Sequence, residues 1–170
     1  MLFAADLNAI VQQVAANTAA LANGPERTFR ATLSGAQEVT DPPGGVDTTA
    51  TGTITAEFDE GLTQVQVQLN VSGFATTVTA AHFHCAFAGD NGPVALGLFN
   101  PGPCTFDATA GTLTCTLTNA DFQQADCLPE IGRPVTNIAS LFFAMDEGGI
   151  YANVHTEAFP AGEIRGQMLD

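Results

Sequence analysis

The sequence predicts an all-β protein, an antiparallel sandwich or barrel over residues 25–170 with an α-helix appended over residues 1–24. Three observations predict it. From Thr28 onward apolar residues alternate with polar ones, the period of a strand with one face in a core. Turn-forming clusters separate these runs: Asp41-Pro42-Pro43-Gly44-Gly45, Asp59-Glu60-Gly61, Asp90-Asn91-Gly92-Pro93 and Glu147-Gly148-Gly149. Before residue 25 the pattern is different, alanine-rich and free of proline, with apolar residues at helical spacing.

The helix spans residues 5–22, with Asp6 as a cap and Gly24-Pro25 as its stop. Phe3, Leu7, Ile10, Val14 and Leu21 form a heptad seam in which Asn17 fills one layer, so residues 3–21 want a partner, either the chain's own domain or further copies. A homo-oligomer, filament or matrix assembly is the expectation. No positive charge lies near Met1, and Asp6, Asn8, Gln12 and Gln13 interrupt the middle, so the segment reads as retained structure rather than a signal peptide.

The strands begin with Phe29, Ala31 and Leu33, followed by Ile54, Ala56 and Phe58. Next, Val65, Val67, Leu69 and Val71 oppose Gln64, Gln66, Gln68 and Asn70, a strand half buried and half wet. Further strands are predicted at 78–86, 93–99, 111–118, 138–145, 149–156 and 163–168, with a short helix around 119–126 opening at Asn119 or Asp121. This density of short strands is that of a sandwich or barrel.

Eighteen acidic residues against four arginines (Arg27, Arg30, Arg133, Arg165) give a formal charge of −14, which repels nucleic acid and anionic lipid and favours cations as partners. No run of apolar residues is long enough to span a bilayer as a helix. Cys85, Cys104, Cys115 and Cys127 are spaced 19, 11 and 12 apart, unlike zinc-finger or redox motifs. Two disulfides are expected, in any of the pairings four cysteines allow, and with them an oxidising, extracellular compartment, secreted or at the cell surface. Asn70-Val71-Ser72 is a glycosylation sequon.

All three histidines lie in two segments, Ala81-His82-Phe83-His84-Cys85 and Asn153-Val154-His155-Thr156. On a strand His82 and His84 share a face, about 7 Å apart at Cα. A neighbouring strand carrying His155 completes a three-nitrogen site suited to Cu or Zn, with a fourth position open. Tyr151 and Asn153 share the face of His155, and Glu163, Glu157, Asp146 or Asp90 are available to orient a ring; the expected surrounding shell is Asn153, Tyr151, Glu163 and Arg165. Ser34, Ser72 and Ser140 lie in no nucleophile elbow, and Asp59-Glu60 and Asp146-Glu147 read as solvated turns.

The stretch from Phe29 to Val39, Ala81-His82-Phe83-His84, Asp90-Asn91-Gly92-Pro93-Val94, Asn153-Val154-His155-Thr156 and Gly162-Glu163-Ile164-Arg165-Gly166-Gln167 together resemble the CHRD domain, named from the repeated domain of chordin. The resemblance covers roughly residues 28–168. It implies an immunoglobulin-like Greek-key β fold and an extracellular setting. It implies little about activity, and the growth-factor binding of chordin does not pass to a single acidic domain. Copper–zinc superoxide dismutase is a comparable Greek-key sandwich with a His-x-His strand, but its two-metal centre needs more than the three histidines present here. The functional expectation is a non-enzymatic structural or binding module that holds a transition metal at His82, His84 and His155. The alternative is a small mononuclear copper or zinc protein or enzyme, with Arg165 steering anions.

Overall fold

The computed structural model describes residues 27–122 and 126–170. Among them nine strands form one antiparallel sheet. They are β1 (Thr28–Ser34), β2 (Thr51–Phe58), β3 (Gln64–Ser72), β4 (Val78–Cys85), β5 (Val94–Phe99), β6 (Phe106–Asp107), β7 (Thr112–Thr118), β8 (Ile150–Thr156) and β9 (Ile164–Gln167). Their order across the sheet is β5-β4-β8-β9-β1-β2-β3-β7-β6. The two end strands, β5 and β6, are consecutive in the chain, and the segment joining them closes the gap. Phe99 bridges to Pro103, the Phe99 and Phe106 rings lie 5.8 Å apart, and the Cys104–Cys115 disulfide ties the segment to β7. The sheet therefore curls into a nearly closed barrel. The helix expected over residues 1–24 lies outside the described residues.

The period-two reading accounts for β1, β2 and β3. Val65, Val67, Leu69 and Val71 point inward while their neighbours stay exposed, and Ile54 sits opposite Leu69 and Phe29 opposite Ala56. Each inward Val or Leu contributes about 1.5–3 kcal/mol by leaving water. Asn70 stands on the wet face of β3 between Thr53 and Thr112.

Residues 138–145 are helix rather than the predicted strand. Two helices follow β7, α1 (Leu128–Ile131) and α2 (Ile138–Asp146). The run Ile-Ala-Ser-Leu-Phe-Phe-Ala-Met is apolar at either period, so its ends decide. At the start the Asn137 side chain accepts from the Ser140 N–H at 2.8 Å, and the Ser140 hydroxyl accepts from the Asn137 N–H at 3.0 Å, a capping box. At the end Gly148, with φ 70°, donates to Met145 O and Gly149 to Ala144 O, both at 2.8 Å, the paired bonds of a Schellman motif. Ile138, Leu141, Phe142 and Met145 then fall on one buried face, and Phe142 meets Phe29 and Phe58 edge-on at 5.4 and 5.3 Å. The helix predicted around 119–126 begins as expected at Asn119, capped by Thr118, but is a single 3-10 turn through Asp121. Phe122 returns to extended backbone and ends it.

β8 departs from alternation, since all seven of its residues are buried. Ile150, Ala152 and Val154 face the core, and the opposite face is covered by three loops around residues 35–46, 86–93 and 157–163. The Cys85–Cys127 disulfide anchors the end of β4 beside the second of these. A polar face sealed under loops on the outside of the barrel is where the histidines lie.

Candidate metal centre

β4 places His82 and His84 two residues apart on the loop-covered face, and β8 lies against it in a register that sets Ala80 opposite His155, His82 opposite Asn153 and His84 opposite Tyr151. The three imidazoles therefore meet. Ring centroids are 5.7 Å apart for His82 and His84, 5.0 Å for His82 and His155, and 6.0 Å for His84 and His155. One ligand nitrogen from each lies within 4.8 Å of the others, and the group contains no carboxylate and no thiol.

Hydrogen bonds assign the protons. His84 Nδ1 contacts Gly92 O at 2.9 Å and His155 Nδ1 contacts Pro160 O at 3.1 Å. A carbonyl only accepts, so each Nδ1 carries the hydrogen and each Nε2 of the neutral ring a lone pair. His155 Nε2 lies 3.2 Å from His82 Nδ1, which donates to it. His82 Nε2 and His84 Nε2 are then lone pairs, buried and without a partner. Orphaned acceptors of this kind carry a desolvation cost that a cation would relieve. Carbonyl-oriented Nδ1–H groups are also how metal-ligating histidines are held.

The rings are neutral. Burial pushes His82 down to about 4, helped by His155, with the Asn100 backbone opposing. Burial likewise pushes His84 to about 4, against the bond to Gly92, while the neighbouring histidines and Arg165 lower it further. His155 is lowered by burial against its bond to Pro160. For His82 and His84, no proton has to leave above pH 5 for a metal to bind.

Around the three rings the structure brings in Tyr151 and Asn153, which the strand pattern places on the face of His155, and Arg165 from β9. Tyr151 stacks on His84 at 4.9 Å with an 11° tilt, and the Arg165 guanidinium lies 3.5 Å above the centre of the Tyr151 ring. Arg165 is 2% exposed and donates to Asn91 Oδ1, Phe87 O and Asp90 O. Its charge is spent clasping the 86–93 loop, so the geometry gives it a bracing role in place of anion steering. Glu163 is buried but accepts from the Thr48 and Thr156 hydroxyls at 2.6 and 2.5 Å. Glu157, Asp146 and Asp90 are exposed and hold no ring; backbone carbonyls do that work.

Sequence reasoning missed Glu38. It arrives from the loop after β1 and accepts from Asn153 Nδ2 at 2.9 and 3.1 Å. Burial raises its carboxyl to about 7, with the Asn153 bond and the Arg165 charge pulling the other way. Asn153 pairs with His82 across the strands, so Glu38 is linked to the site through one amide. Elsewhere, Asp59 caps its turn by accepting from the backbone of Thr63 and Gln64, the solvated-turn role expected of it.

The fold and this face define a class: a disulfide-bonded antiparallel β-barrel with a loop-sealed, metal-capable cluster of three histidines. The CHRD domain family model matches residues 29–168. The chain belongs to the CHRD domain family. No curated protein matches it. Family membership and the two disulfides are consistent with an extracellular location, and among the described residues no helix is long and apolar enough to cross a membrane.

Proposed function

We propose that the protein is an extracellular, non-enzymatic binding or structural module whose barrel holds one transition-metal ion on His82, His84 and His155. The observation that carries the reading is the convergence of three neutral imidazoles, two of them aimed by backbone carbonyls, with two buried lone pairs unmet. An enzymatic copper or zinc centre needs a coordination position that substrate can reach. Here the unmet nitrogens are closed to solvent beneath the loops, which favours retention of an ion over turnover. The consecutive strands β3 and β4, and β7 and β8, lie far apart in the sheet, which supports reading the barrel as a curled immunoglobulin-like Greek key. Residues 3–21, with their heptad seam, are the segment through which copies assemble.

Elemental analysis of tag-free protein tests the metal. Retention of about one equivalent of Cu or Zn, lost in His82→Ala and His155→Ala, is the expected result. Protein that stays metal-free after incubation with both ions removes the reading. For assembly, the full chain has a solution mass of several copies and the chain lacking residues 1–24 that of one; the same number of copies for both contradicts it.

A further inference from the structure

Resting on the metal reading above, we propose that the site selects copper, held as Cu(I) by three nitrogens, over zinc and other divalent ions.

Charge is the first ground. The ligand set is three neutral rings with no carboxylate or thiolate among them, so an entering ion keeps its full charge. His82 is 7% and His155 9% exposed, and among the described residues the charge stacked against the rings is positive, Arg165 on Tyr151 on His84. The Glu38 carboxyl nearest this stack is itself destabilised as an anion by burial. Removing an ion from water costs roughly in proportion to the square of its charge, so a divalent ion suffers about four times the penalty of a monovalent one. Hydration by a bound water would reduce that penalty, but the unmet Nε2 atoms of His82 and His84 have no access to solvent.

Coordination number is the second. Structural zinc takes four ligands in a tetrahedron and Cu(II) prefers a tetragonal N/O set. Among the His, Cys, Asp and Glu side chains of the described residues, the group has three nitrogens and no fourth donor. Cu(I), with a filled d shell and no directional preference, is satisfied by three. One ring nitrogen of each histidine lies within 4.8 Å of the others; a trigonal ion with bonds of about 2.0 Å wants its ligands about 3.5 Å apart. Drawing the rings in by about an ångström completes the triangle, a movement within the reach of a side chain.

The test is a metal competition on the intact, unmutated chain. Cu(I) is titrated anaerobically, with ascorbate as reductant, against a chromophoric Cu(I) chelator; Cu(II) and Zn(II) are titrated separately against chelators of known affinity. The expected result is one Cu(I) bound at least 100-fold more tightly than Zn(II), with X-ray absorption reporting three nitrogen neighbours and His84→Gln losing the preference. Zn(II) or Cu(II) binding as tightly as Cu(I), dependent on the same histidines, overturns the selectivity while leaving the metal reading intact. Failure to bind any of the three ions overturns both.

Discussion

Lowering the pH from 6.5 to 4.5 is expected to destabilise the metal-free protein through its own binding site. His82 and His84 titrate at about 4 in the fold and at 6.5 in their ordinary state. Across the interval between, the unfolded chain carries protons that the folded chain refuses. Their contribution is therefore complete above pH 6.5 and is lost as the pH falls towards 4. His155, also lowered, adds to the same side. Glu38 acts oppositely, because it is raised from 4.5 to about 7: it stays protonated in the fold where the unfolded chain ionises, and favours folding at the acid end. His82 and His84 against Glu38 leave a net uptake of about one proton on unfolding, worth about 1.4 kcal/mol per pH unit, to which His155 adds. Halved for solvent screening, the slope is about 0.7 kcal/mol per unit, or about 1.4 kcal/mol over the interval, before the share of His155. Urea unfolding followed by far-UV circular dichroism at constant ionic strength measures it, and His84→Gln should flatten it. A midpoint that is flat or rises as the pH falls through this window, or imidazole NMR titrations centred near 6.5, would refute the reasoning.

Other consequences are local to named groups. Phe142→Ala empties the junction between Phe29 and Phe58 and should lower stability by about 3–5 kcal/mol by the same urea assay while leaving metal affinity below the transition unchanged. Replacing Cys85 and Cys127 together with Ala opens a link across 42 positions, an expected loss of about 4 kcal/mol on the chain-entropy account, checked against Cys104→Ala/Cys115→Ala, whose separation of 11 predicts a smaller one. Arg165→Met keeps the bulk over Tyr151 but drops three hydrogen bonds, so amide exchange in residues 86–92 should rise more than tenfold while β2 and β3 keep their protection; unchanged exchange in that loop counts against the bracing role.

The histidine face was legible because strand alternation is rigid geometry. Two residues apart on one strand means one face, and Asn153 and Tyr151 followed His155 for the same reason. Strands β1 to β3 were legible through their wet outer faces. The region 138–145 was not, because a helix buried on most sides carries no polar stripe; the signal lay in Asn137, Ser140 and the Gly148-Gly149 pair, at the ends of the apolar run. Glu38 reaches Asn153 across 115 positions of sequence, a contact that only the fold creates. The same holds for the Cys85–Cys127 pairing and for the carbonyls of Gly92 and Pro160, which any residue type could have supplied.

Anomalous diffraction from crystals grown with copper, collected on both sides of the metal edge, tests the central claim most directly. The account predicts one strong peak about 2.0 Å from a ring nitrogen of each of His82, His84 and His155. Peaks confined to exposed carboxylates such as Asp59 or Asp107, with the three rings still hydrogen-bonded as in the metal-free protein, would contradict it.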